Sequence, residues 1–172
     1  MKIDRFIAAV CALLLITACA CQKKENDAVP RQTVLDALSA YSTISDPVYF
    51  EAFQHQGKDP EKAAAFVAAR ENLDRLFIDD AVQKRILAAL RLYDPKAWEP
   101  QKTYFEESGT YVVVYLRSNS DLMGEPVSDR PGWRKALFRL KKTGDVYQIE
   151  DMDDIVKKFG EKPQIQLGEP LS

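Results

Sequence analysis

Few residues of this chain belong to types that do chemistry at neutral pH. There is one histidine, His55, in the stretch FEAFQHQGKDP. An imidazole is the side chain whose ordinary pKa suits general-base work near pH 7. His55 falls at a predicted helix end, where the helix dipole favours a cation, and it reads as a helix-end residue rather than a base. The three cysteines, Cys11, Cys19 and Cys21, all crowd the amino-terminal stretch. One histidine and no paired cysteines beyond that stretch exclude the usual zinc spacing. The densest acidic cluster is Glu150-Asp151-Met152-Asp153-Asp154. Carboxylates are hard oxygen ligands for calcium, but an EF-hand loop needs a glycine where Val156 stands. The cluster reads instead as a strand end followed by a helix cap at Asp153 or Asp154. Neither a glycine-rich phosphate loop nor a G-x-S-x-G elbow occurs. No catalytic residue, metal or cofactor is predicted, and the chain is not expected to be an enzyme.

Aromatic side chains carry the remaining signal. Tyr104, Phe105, Tyr111, Tyr115, Trp133 and Phe138 crowd the carboxy-terminal half. Most belong in a core. The subset expected to face outward, Tyr111, Tyr115 and Trp133, is the candidate partner-binding surface. Leu122 and Met123 join it from the polar loop SNSDLMGEPVSDRPG, which is longer than a hairpin connection requires. The net charge of −2 argues against a nucleic-acid surface, which needs clustered Lys and Arg.

These residues need elements to hold them. After residue 31 the chain reads helical. Thr33 with Asp36 resembles a capping box ahead of Val34, Leu35, Leu38 and Tyr41. Asp46-Pro47 and Asp59-Pro60 each combine an N-cap with a proline at the first helical position. The helices they start carry Val48, Phe50 and Phe53, then Phe66, Leu73, Leu76 and Phe77. Asp79-Asp80 starts another, with Val82, Ile86, Leu90 and Tyr93 inward and Asp94-Pro95 as its stop. The period then changes to alternation. TYFEESGTYVVVYLRS predicts a hairpin turning near Gly109, and WRKALFRLKKTGDVYQIEDM one turning at Thr143-Gly144-Asp145. Tyr111 to Leu116 is apolar on both faces, as a central strand would be. A short helix is expected over Ile155 to Phe159, then an extended tail with Ile165 and Leu167 laid on the domain. Helices followed by an antiparallel sheet of about four strands is an α+β pattern.

The first residues are of another kind. Lys2 and Arg5 precede Phe6 to Ala18, an uncharged run of thirteen residues. As a helix it spans roughly 20 Å, short of the ~30 Å of a hydrocarbon core, so it fits a secretory signal better than a membrane span. It ends at Ile16-Thr17-Ala18-Cys19, which resembles the lipobox of bacterial lipoproteins. The resemblance implies lipid on the Cys19 thiol and cleavage just before it, with two or more acyl chains giving stable membrane anchoring. Cys21 fits less well, because Ala18 replaces the aliphatic residue three positions before it. The organisation implied is a signal peptide over 1–18, an anchor and disordered spacer over 19–31, and one α+β domain over 32–172.

GDVYQIEDMDDI resembles the last strand of the nuclear-transport-factor-like, or ketosteroid-isomerase-like, α+β cone found in small envelope lipoproteins. That resemblance implies a cone-shaped sheet. Together these features predict a lipid-anchored protein of the cell envelope, in the periplasm or at the cell surface. Ala20 after the lipidated cysteine favours the outer membrane over the inner. Its soluble domain is expected to bind a protein partner, as an accessory subunit or an immunity-type inhibitor. The alternative is a small-ligand binder or isomerase-like enzyme using the cone cavity.

Overall fold

The computed structural model of the chain describes residues 27–55, 58–119, 126–127 and 130–154. Four helices come first: α1 (residues 27–45), α2 (Pro47–Gln54), α3 (Pro60–Leu76) and α4 (Asp80–Leu90). The strands follow: β1 (Tyr93–Glu106), β2 (Gly109–Ser118), β3 (Pro126–Val127), β4 (Arg130–Thr143) and β5 (Val146–Asp154). They form one antiparallel sheet in the order β1-β2-β4. Two strands share the far edge of β4: β3 pairs with Arg130 and Arg134, and β5 runs from Ala136 to Thr143. The protein is therefore α+β, with its helices preceding an open sheet.

The aspartate-proline signals act as expected. Asp46, Asp59 and Asp79 are the N-caps of α2, α3 and α4, and their carboxylates accept from the amides of Val48, Lys62 and Val82. Asp46 has a second task. Lys96 Nζ donates to its other oxygen at 2.8 Å and so ties the α1–α2 junction to β1. That hydrogen bond, then the one from the Val48 amide, holds the Asp46 carboxyl below its ordinary value. The same contact raises the Lys96 ammonium above its own.

One face of the sheet is the core. Val112, Val114 and Leu116 of β2 alternate onto it, with Ala136, Phe138 and Leu140 opposite on β4. Ile149 and Met152 extend it on β5. Val34, Leu38, Leu73, Ile86 and Leu90 cover it from the helices. Val34, Val114 and Ile149 are fully buried. Each such side chain contributes about 1.5–3 kcal/mol relative to leaving it in water. The helix-facing side of the sheet is thus mostly hydrocarbon, with Arg134, 5% exposed opposite Leu116, as a buried charge.

Both turns form where expected. Gly109 follows the first, with φ +145°. Gly144 opens a two-residue connection between Thr143 and Val146 at φ +64°, a conformation that glycine adopts without steric cost.

Several boundaries differ from the pattern reading. The helix labelled α1 already includes residues 27–31, which the polar composition had assigned to a spacer. Pro30 is among the fully buried side chains, so burial outweighs the local signal. Thr33 is not a cap. It lies inside α1, and its hydroxyl donates to the Val29 carbonyl one turn back at 3.1 Å. Asp94-Pro95 does not end α4, which stops at Leu90. Those residues lie in β1, whose edge position tolerates proline without losing a ladder bond. Asp153 and Asp154 end β5, as the strand-end reading of the acidic cluster expects, while the helix that one of them was to cap, Ile155 to Phe159, lies outside the described residues, as do Ile165 and Leu167. The long loop is interrupted by β3 and shortened by β4, which begins at Arg130.

Candidate functional site

Register places the candidate aromatics. Tyr111 pairs with Arg139, Val113 with Leu137, Tyr115 with Lys135 and Arg117 with Trp133. Opposed residues share a face, and alternate residues of a strand share one too. Tyr111, Tyr115 and Trp133 therefore stand together on the sheet face turned away from the helices. A second, smaller apolar cluster forms there from Tyr111, Val113 and Leu137, flanked by Tyr104 and Tyr115, and it contains no helical residue. This explains why β2 reads apolar on both sides.

The three aromatics do not play equal parts. Tyr111 is only 2% exposed, and its hydroxyl is 2.9 Å from that of Ser108 in the β1–β2 turn. It forms the base of the patch instead of its contact surface. Tyr115 and Trp133 are half-buried and present one side to solvent. Leu122 and Met123, also predicted for this surface, lie outside the described residues, as does Cys19.

Cations missed by an aromatic-only reading complete the surface. Arg117 and Lys135 are exposed beside Trp133 and Tyr115 and have no carboxylate partner among the described residues. Arg130 lies over the Trp133 ring, 5.4 Å from its centre, while its Nη1 holds Glu99 Oε2 at 2.6 Å. Arg139 Nε sits 3.2 Å from Glu150 Oε2, an ion pair without hydrogen-bond alignment. The alternation Arg117, Lys135 and Arg139 on one face was legible only once the β2–β4 register was known. The patch thus offers two half-buried rings and two cations that no carboxylate among the described residues pairs with.

The sheet edges are less available. Pro95 and Pro100 lie in β1, which carries two register shifts. On β5, Phe77 forms a parallel bridge with Ile149, the Ile78 amide donates to the Ile149 carbonyl at 3.0 Å, and Gln148 Nε2 donates to the Phe77 carbonyl at 3.2 Å. Prolines, bulges and covering segments disfavour strand addition at these edges.

His55 is exposed and is the C-cap of α2, as its position predicts. Among the described residues no group of His, Cys, Asp and Glu is placed to hold a metal ion, and no helix is long and apolar enough to cross a membrane. Comparison with family models, curated proteins and solved structures found no match.

Proposed function

We propose that the protein is a lipid-anchored component of the cell envelope whose α+β domain binds a protein partner through the outer face of its sheet. The observation that carries this reading is the grouping of Tyr115 and Trp133 with Arg117 and Lys135 on a face against which none of the described helices packs. Half-buried aromatics beside arginine are the composition of interface centres. The unpaired cations favour an acidic partner surface, which would meet them with complementary charge. Ile16 to Cys19 supports the anchor through its resemblance to a lipobox. The domain would then act as an accessory subunit or an immunity-type inhibitor rather than as an enzyme.

The test is site-specific cross-linking in cells that produce the full chain. A photoreactive residue at Tyr115 or Trp133 should give an adduct of defined mass, and Val146, exposed at the hairpin end of β5 far along the sheet, should give none. Adducts of equal strength at all three sites, or none at 115 and 133, would overturn the assignment of this face.

A further inference from the structure

A second concave region lies apart from the aromatic face. It is a groove of about 440 Å³ where the carboxy-terminal ends of α1 and α4 meet the start of β1. That size is at the small end of the roughly 300–1,000 Å³ typical of ligand sites. None of the outer-face residues lines it.

Its lining mixes hydrocarbon with polar groups. Tyr41 and Tyr93 are 7% and 2% exposed, and Ile44, Leu87 and Pro95 complete the hydrocarbon lining. Its one charged group among the described residues is a cation. Tyr41 is nine-tenths buried, and its hydroxyl, the part that solvent reaches, has no hydrogen-bond partner among the described residues. Arg91 lies exposed at the rim with no carboxylate partner among the described residues, and Ser45 and Asn119 add a hydroxyl and an amide. Among the described residues no acid lines the groove. The two acids nearest in sequence are engaged elsewhere, Asp46 with Lys96 and Asp94 with the Lys96 amide. Three nearby carbonyls are engaged as well, with Thr43 accepting from Asp46, Ala89 from Leu92 and Leu92 from Asn119.

A cation with no facing acid among the described residues, beside a strip of hydrocarbon, suits an anion with an apolar body. One guanidinium matches one negative charge, whereas a phosphate monoester would bring close to two at neutral pH. A carboxylate also fits the planar fork of arginine. We infer that this groove binds an amphiphilic monocarboxylate, its charged end held by Arg91 and the Tyr41 hydroxyl and its apolar end lying against Ile44, Leu87 and Tyr93. A free carboxylic acid and the carboxy terminus of a peptide ending in an apolar residue share this chemistry.

Binding to the full-length chain by ligand-observed NMR separates the outcomes. Octanoate should bind saturably with a Kd at or below about 1 mM, and 1-octanol at least about tenfold more weakly. Arg91→Ala should weaken octanoate about tenfold or more, and Tyr41→Phe about two- to tenfold, since a charge-assisted donor outweighs a neutral one. Arg91→Lys should recover part of the loss. An acetylated dipeptide ending in leucine, with free or amidated terminus, distinguishes the two sources. Tighter binding of the free-terminus peptide than of octanoate identifies a peptide end, and the reverse order identifies a free acid. Equal binding of octanol and octanoate, or octanoate binding unchanged in a folded Arg91→Ala chain, overturns the inference. Arg91 is exposed, so its loss leaves the fold intact, and a melting curve checks this.

Discussion

The guanidinium carbon of Arg130 lies 5.4 Å from the centre of the Trp133 ring. The two residues are close in sequence, at the start of a long strand, and the same arginine reaches across to Glu99 on β1. Arg130 thus orients the indole from one side while the sheet supports it from the other. Exposed pairs of this kind contribute about 0–1 kcal/mol to folding. Arg130→Ala should therefore leave the denaturation midpoint nearly unchanged. It should reduce partner cross-linking at position 133, because the ring loses a fixed orientation. A folded Arg130→Ala chain that cross-links normally would remove Arg130 from the surface.

Thr103 supplies a prediction with the opposite sign. It is 7% exposed, and its hydroxyl has no hydrogen-bond partner among the described residues. A buried hydroxyl without a partner costs about 1–3 kcal/mol in lost hydration. Thr103→Val keeps the branched shape and removes the polar atom. Urea denaturation should show a gain of roughly 1 kcal/mol with an unchanged slope. A loss of stability would mean that the hydroxyl is satisfied.

Ile149 should be among the costliest truncations. It is fully buried on β5, opposite Leu140. Ile149→Ala should destabilise by about 2–5 kcal/mol. Val146→Ala on the same strand removes a side chain that is 58% exposed and should fall within about 0.5 kcal/mol of the parent. Similar effects at the two positions would contradict the burial pattern of this edge.

Asp46 gives a pH dependence whose sign follows from its environment. Hydrogen bonds from Lys96 and the Val48 amide lower its pKa from the ordinary 3.8. The folded chain therefore binds this proton less readily than the unfolded chain. The associated stability is fully present above 3.8 and is lost as the pH falls through the lower folded value. Asp59, lowered by Lys62, acts in the same direction. Asp46→Asn keeps a capping oxygen but cannot ionise, so its melting temperature should fall less steeply than the parent's on acidification below that value. Parallel acid limbs for the two proteins would rule Asp46 out as a contributor.

Cys19 can be tested independently of the fold. Cys19→Ala should give an uncleaved chain that incorporates no labelled fatty acid, while Cys21→Ala should mature and label normally. The reverse pattern would move the lipid site to Cys21.

The legible parts of the fold were those dictated within a few residues. Asp46-Pro47 and Asp59-Pro60 encode helix starts because the cap and the missing amide act within one turn. Gly109 and Gly144 mark reversals because the backbone there needs positive φ. What escaped the sequence depends on distant contacts. Pro30 looks like a boundary until its burial is known, and Asp94-Pro95 looks like a helix stop although an edge strand accommodates it. At the candidate surface the aromatic types were legible, but their roles were not. Tyr111 and Tyr115 have the same phase on β2, and only the Ser108 contact and the burial of one ring separate them. Arg117 and Lys135 come beside the rings through pairing between strands, which local periodicity does not encode.

The bridge between Phe77 and Ile149 also bears on the order of assembly. Each hairpin joins neighbouring segments, so the β1–β2 and β4–β5 pairs can close early at small loop entropy. The Gln148–Phe77 contact joins residues 71 apart in sequence, and it can form only after the helical half has docked onto a finished β5. Such non-local closure slows folding and leaves an unpaired edge exposed while the chain waits. The last strand would then be the vulnerable one during biogenesis, and a chaperone acting on this protein would find its target along Val146 to Asp154 before Phe77 and Ile78 cover that edge.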